Sequence, residues 1–342
     1  MTSAAGTDAD NDRRNVSDAV GVVVLGACAV WPLLSGAGRD GRPEGVLLAV
    51  LAVAAGYAAG RMSGSLWPVA APCLAGLAGL VLAVTMPAVA TGSRFTSPLG
   101  HAGAVAALLV LAAGGVCCAA WATPVPALRA GLWTVAAGIV VTGAAMGSAA
   151  GCAAGAAVLL CSLAAGRMRR RDAGLVGLAL ATALVTGTVW ALAANALPAG
   201  LTTALTGPLT ERRVQLWRDA LHLARTNSVL GLGPGRFGEV SGATSGAAPP
   251  DGRPHSALLQ QAAEQGLVGV LLLVAAFCWI LYALWRSARS TPVVLTAGAA
   301  LTALAAVVVV GNALSFTTVS AGAGLLAGVA TSRPWAAGLP RS

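Results

Sequence analysis

The 342-residue chain has no lysine and only three histidines. Charged residues make up 10% of it and aromatics 4%. A water-soluble domain carries about a quarter charged residues, so a soluble globular particle of this size is excluded. Acidic side chains number 12 and lie outside the long apolar stretches of the first 197 residues. Ion-coupled carriers usually place a carboxylate or a paired charge inside the membrane, so a proton- or sodium-driven transporter is disfavoured. Phosphate-binding Gly loops of the GxxxxGK kind, dinucleotide fingerprints, HExxH and GxSxG are also missing, which leaves nucleotide-driven transport, zinc proteolysis and hydrolase chemistry without support. No basic face of the kind that binds nucleic acid is expected.

What the chain has instead is apolar length. Hydrophobic residues are 57% of it, enough for about ten bilayer crossings of roughly 20 residues each. The expectation is an all-α polytopic membrane bundle of about ten transmembrane helices with one external helical loop. Candidate spans fall near Ala19–Ala37, Gly45–Gly60, Trp67–Ala90, Leu99–Ala122, Ala127–Met146, Ser148–Gly166, Ala173–Leu197, Ala257–Trp285, Pro292–Gly311 and Leu314–Ala330. Two of these splits carry no polar marker, but about 40 residues of helix would be about 60 Å long, twice the hydrocarbon thickness, so each stretch must fold as a hairpin.

The seven cysteines have no CxxC or Cys/His spacing and read as small core-filling residues. Small residues recur at spacing four in Gly56/Gly60, Gly143/Gly147/Gly151/Gly155 and Gly324/Gly328, a pattern of close helix packing.

Every fixed positive charge is an arginine, and the formal net charge is +9. With a cytoplasmic N-terminus, roughly twelve arginines fall on the cytoplasmic side against about three in short external loops, as the positive-inside rule asks. The sequence divides into a cytoplasmic tail (1–18), helices one to seven (19–197), an external loop (198–254), helices eight to ten (255–331) and a second cytoplasmic tail (332–342). The external loop holds Arg212, Arg213, Arg218, Arg225, Arg236 and Arg253, and function is expected there.

Within that loop, Thr210–Thr226 repeats Val214, Trp217, Ala220, Leu221 and Ala224 at helical spacing, with Arg212, Gln215, Asp219 and His222 opposite. This predicts an amphipathic helix capped by Thr210, lying on the outer membrane surface with Trp217 at the interface. Next, Gly231, Gly233 and Gly235 alternate before Arg236, an arrangement able either to turn sharply or to offer backbone N–H groups to an anion. His255 then opens the eighth span. Counting 100° per residue places Ala262, Gly266 and Gly269 beneath it as a strip of small residues, with Glu264 on the opposite side as a buried structural partner.

The run R-x-x-x-W (Arg213, Trp217), then N-S-V-L-G-L-G-P-G-R-F (Asn227–Phe237), then H-S-A-L-L-Q-Q-A-A-E-Q-G-L-V-G (His255–Gly269) resembles the O-antigen ligase and O-antigen polymerase family of polytopic membrane glycosyltransferases. Ser93–Leu108 looks like an earlier segment of that family. The resemblance implies a membrane glycosyltransferase C-like fold. It also implies transfer of a glycan from a polyprenyl-diphosphate carrier to a glycan or lipid acceptor hydroxyl outside the cytoplasmic membrane, with no cofactor and no metal. By motif position Arg213 would hold the diphosphate and His255 would act as general base or orient the acceptor.

Trp217, Arg94, Arg218, Arg236, Gly233 and Gly235 are the expected substrate-binding residues, and Glu264 and Gly266 the structural ones. A Ser-Arg-Gly common in the family is Gly147-Ser148-Ala149 here, without the arginine, and Ser228 stands where proline is common. The rival expectation is a non-catalytic membrane scaffold or lipid-glycan binding factor of envelope assembly that has lost a catalytic arginine.

Overall fold

The computed structural model describes residues 4–37, 39, 41–90, 98–197, 200, 211–240 and 255–333. Arg94 and Thr210 lie outside the described residues, as do Arg253 and the stretch around it. Among the described residues there are helices and turns and no strand, so the chain is an all-helical polytopic bundle.

In chain order the helices are α1 (Ala4–Gly36), α2 (Glu44–Leu66), α3 (Ala70–Ala90), α4 (Pro98–Ala122), α5 (Pro126–Ala145), α6 (Ala149–Ala165) and α7 (Arg171–Ala193). After these come α8 (Glu211–Thr226), the single turn α9 (Phe237–Val240), α10 (Ala257–Trp285), α11 (Thr291–Val310) and α12 (Thr317–Thr331). Seven of them are long and apolar enough to cross a membrane, and three shorter apolar helices complete the set of ten read from the sequence. Helix α1 starts at Ala4 and runs without interruption from the polar N-terminal segment into the apolar span.

The two unmarked hairpins turn where little side chain is present. Between α5 and α6 the chain reverses at Gly147, whose φ of 69° is left-handed, and Ser148 then caps α6 by accepting from Gly151 N at 3.2 Å. Between α11 and α12 it reverses through Gly311 and the short 3₁₀ turn Ala313–Ser315.

Helices α4 and α11 form the centre of the bundle and are buried along most of their length. The remaining helices surround them and carry large apolar side chains outward, among them Val22, Val23 and Leu184, each more than two-thirds exposed. Apolar surface on that scale is tolerable only against lipid. The cysteines divide accordingly. Cys117 and Cys118 fill the core of α4, but Cys161 and Cys278 are exposed, so core filling does not hold for all seven. A thiol on a lipid-facing surface costs nothing in hydration, which lets the outer positions accept it as readily as the inner ones.

Of the three glycine stripes, two share one explanation, while in the third Gly147 serves the turn and packs against nothing among the described residues. Gly56, Gly60 and Gly64 of α2 interlock with Gly324 and Gly328 of α12. A methyl group on Gly56 or Gly60 would strike the carbonyl oxygens of Ala321 or Leu325, and one on Gly324 or Gly328 those of Val53 or Tyr57. These two stripes therefore pack against each other within one chain. In the same low-polarity interior, the Trp121 indole donates to Ser162 Oγ at 3.0 Å, and Ser162 shares a 2.7 Å hydroxyl bond with Thr296.

At the end of the bundle where α2, α4, α6, α10 and α12 finish, arginines close the helix termini. Arg289 donates to Gly64 O at 2.7 Å, Ser332 O at 3.1 Å and Ser332 Oγ at 2.7 Å. Arg171 donates to Ser287 O at 2.6 Å and Arg289 O at 2.7 Å, and Arg129 to Thr123 O at 2.8 Å. These bonds satisfy the last-turn carbonyl of Gly64 and acceptors in the segments that follow α4, α10 and α12.

Candidate functional site at the α8–α10 end

The opposite end holds α8, the Gly-rich loop and the start of α10. Helix α8 buries Leu216, Trp217, Ala220 and Leu221 in one apolar cluster with Val189 and Leu192 of α7, Phe237 of α9 and Leu258, Leu259 and Ala263 of α10, and Val214 is buried as well. Its outer face carries exposed Gln215 and His222. The amphipathic helix is present, but its apolar side meets protein and not lipid. Trp217 is fully buried, which corrects its expected place at the membrane interface. Lipid tails and protein interiors are equally apolar, so amphipathicity alone does not say which of the two a face will meet.

At 100° per residue Arg213 falls in the middle of this buried face, one turn before Trp217. Its Nε is buried and makes no hydrogen bond, and the same is true of the Trp217 Nε1. Burial pulls the Arg213 guanidinium down from its ordinary pKa, because the charged form loses water without a counter-charge in return. Two buried donors, Arg213 Nε and Trp217 Nε1, thus stand one turn apart without an acceptor, a pair whose chemistry suits an acceptor-only group such as a phosphate.

His255 lies at the other wall of the same packing unit. It is 8% exposed and left-handed, with φ of 47°, immediately before Ser256. Ser256 is the N-cap of α10 and accepts from Leu259 N at 3.4 Å. The α8 face that carries Arg213 and the α10 turn that follows His255 are joined through Trp217, Leu221, Leu258 and Leu259.

Helix α10 is broken ten residues on. Gly266 has φ of 67° and ψ of −162°, so the helix consists of a short buried piece ending at Gln265 and a longer one running to Trp285. The Gly-rich loop fills the break. Leu232 N donates to Ala263 O and Gly233 N to Glu264 O, both at 2.9 Å, and Leu267 N donates to Ser228 O at 2.8 Å. Gly235 N donates to Glu264 Oε2 at 2.9 Å, and Gln260 Nε2 to Glu264 Oε1 at 3.1 Å.

Gly231 and Gly266 are glycines because their backbones touch: a methyl on Gly231 would meet the Glu264 carbonyl, and one on Gly266 the Val229 carbonyl. Of the two uses open to the alternating glycines, the structure therefore shows the turn, since the Gly233 and Gly235 N–H groups are spent on Glu264. The expected strip beneath His255 is likewise corrected. The break ends the 100° count at Gly266, and Val229 and the Gln265 side chain fill the space over Gly266 and Gly269.

The last turns of α1 and the chain between α1 and α2 brace the loop and the α10 break from outside. Arg42 N donates to Pro234 O at 2.7 Å, and Trp31 Nε1 to Gln265 O at 3.1 Å. Arg236 donates to Arg39 O at 2.9 Å and approaches Glu239 Oε2 at 3.5 Å. Arg218 reaches Asn195 Oδ1 at 3.3 Å from an exposed position. Among the expected arginines, then, Arg213 sits on the buried face of α8, Arg218 and Arg236 have partners within the chain, and Arg94 falls outside the described residues. Trp31, Arg42 and Gln265 were not legible from the sequence, since nothing in an apolar helix or a short loop marks which residue will meet a distant break.

The order and packing of α8, glycine loop and α10 make a comparison with known families decisive, and the family model of O-antigen ligases matches residues 130–274. Over this stretch, less than half of the chain, the sequence is similar to the O-antigen ligases. The matched stretch begins in α5 and ends in α10, and so takes in Arg213, Trp217, the glycine loop, His255, Glu264 and the break at Gly266. Its boundaries leave α1 to α4, α11 and α12 outside, although Trp31 and Arg42 brace the matched loop and helix from there. Neither the curated proteins nor the solved structures gave a match.

Proposed function

We propose that the chain transfers a glycan from a polyprenyl-diphosphate carrier to an acceptor hydroxyl at the outer face of the cytoplasmic membrane, in the manner of an O-antigen ligase. The observation that carries this reading, beside the family match, is the half-buried Arg213, whose buried Nε lacks an acceptor. In the proposed reaction the acceptor hydroxyl gives its proton to His255 as its oxygen bonds to the anomeric carbon. The bond from that carbon to the carrier's diphosphate breaks, and the diphosphate leaves with the electron pair. An imidazole suits this task, since its ordinary pKa lies near neutrality. Arg213 neutralises charge developing on the leaving group, a part played elsewhere by a divalent cation.

Glu264 and the glycine loop hold the α10 break closed and so fix where His255 stands. The loop is external in this reading, the termini are cytoplasmic, and a ligase-like and a polymerase-like enzyme differ only in the acceptor. A scaffold or lipid-glycan binding factor is the second reading. It is favoured by Ala149 standing where the family often has arginine and by the engagement of Arg218 and Arg236 within the chain.

His255→Ala and Arg213→Ala expressed in the native host separate the two. The enzyme accumulates carrier-linked glycan and loses surface polymer in both variants. Wild-type polymer in both would remove the catalytic reading.

A further inference from the structure

The break at Gly266 leaves three consecutive carbonyls at the end of the short piece of α10, and each takes a donor from another part of the chain. Ala263 O and Glu264 O accept from Leu232 N and Gly233 N of the glycine loop, both at 2.9 Å. Leu267 N, the donor that an unbroken helix would bring to Ala263 O, goes to Ser228 O instead. The third carbonyl, that of the buried Gln265, accepts from the indole Nε1 of Trp31 at 3.1 Å. Trp31 stands on α1, outside the stretch matched by the ligase family model.

Helix α1 also grips the longer piece of α10. Trp279 Nε1 donates to Ser17 O at 3.0 Å, and Cys28 Sγ approaches Leu272 O at 3.7 Å. A methyl group on Gly21 would strike the Trp279 ring, so the two helices meet closely there. Helix α1 therefore spans the break as a splint, tied to the long piece at Leu272 and Trp279 and to the short piece at Gln265.

The short piece is the one that follows His255, beginning at Ala257 behind the Ser256 cap. Its length is about 14 Å, so a tilt of about 5° at Gln265 moves the His255 end by about 1 Å. Apolar packing against α8 is non-directional and leaves such a tilt cheap, whereas a hydrogen bond in low-polarity surroundings fixes direction.

We propose that Trp31 is a positioning residue of the glycan-transfer site: its indole N–H sets the tilt of the short α10 piece and with it the reach of His255 toward the acceptor hydroxyl. The proposal rests on the reading of His255 given above. Misplacement by about 1 Å costs up to about a hundredfold in rate. Arg213 stands on a different helix, so the loss of the Trp31 bond falls on transfer and not on the holding of diphosphate.

The test compares two full-length variants, Trp31→Phe and Trp279→Phe. Each loses one indole bond between α1 and α10, the first to the short piece and the second at the long one. Both are read by surface polymer and carrier-linked glycan in the native host, by farnesyl diphosphate affinity of the purified chain, and by hydrogen exchange. Trp31→Phe should lower surface polymer about tenfold or more and accumulate carrier-linked glycan. Its farnesyl diphosphate affinity should stay within about twofold of wild type, while exchange at 257–265 rises. Trp279→Phe should keep polymer near the wild-type level. Wild-type polymer in Trp31→Phe, a parallel loss of polymer and farnesyl diphosphate affinity, or equal polymer loss in both variants overturns the positioning role. His255→Ala run alongside keeps the two readings apart. If it retains polymer, the ligase reading falls, and exchange at 257–265 still decides whether Trp31 holds the short piece. If it loses polymer and Trp31→Phe does not, the positioning role alone falls.

Discussion

Arg289 and Arg213 occupy opposite ends of the bundle under similar conditions, and their surroundings assign them different work. Both are withdrawn from water enough for burial to pull their pKa values down. Arg289 recovers that cost through three short bonds to Gly64 and Ser332, joining the ends of α2 and α12 to the loop before α11. Arg213 recovers none at Nε and lies beside the unpartnered indole N–H of Trp217. A guanidinium whose hydrogen bonds close within the chain serves the fold. One held dry without an acceptor costs stability, and a protein retains it where a ligand supplies what is missing.

The comparison can be broken by mutation. Arg289→Ala orphans three acceptors and should lower stability by about 3 kcal/mol, measured by reversible unfolding of the detergent-solubilised chain. Arg213→Ala removes a costly charge and no bond at Nε, so its change should stay within about 1 kcal/mol in either direction. Similar losses in both variants would erase the distinction.

A smaller effect sharpens the picture of the α8–α10 end. Gly266→Ala places a methyl against the Val229 carbonyl in a backbone region reserved for glycine, and should cost about 2 kcal/mol. Because the break positions the turn that follows His255, hydrogen exchange should rise locally at 228–235 and 257–267. Unchanged exchange there would show that the loop does not depend on the break.

The contrast also explains which features the sequence disclosed. Helix number and both unmarked hairpins follow from bilayer thickness and chain length, so Ala127–Gly166 had to turn, and Gly147 provides the place. Gly56/Gly60 and Gly324/Gly328 announced close packing because a stripe of small residues has few other uses. The break at Gly266 stayed hidden, since the residues on either side keep an apolar helical pattern and the satisfaction of its carbonyls comes from a loop about 30 residues earlier in the chain. Trp217 was placed at the lipid surface because hydropathy does not distinguish lipid from the tops of α7 and α10. Arg289 and Arg171 read from the sequence as markers of orientation, and only their bonds show that they also close helix ends.

The central claim is that Arg213 holds the diphosphate of a lipid carrier. Binding of farnesyl diphosphate, a short polyprenyl diphosphate, to the full chain tests it most directly when read as a thermal shift in wild type, Arg213→Ala and Arg289→Lys. The account predicts stabilisation of wild type and of Arg289→Lys and a loss of about tenfold or more in affinity for Arg213→Ala. Equal stabilisation of wild type and Arg213→Ala would contradict it.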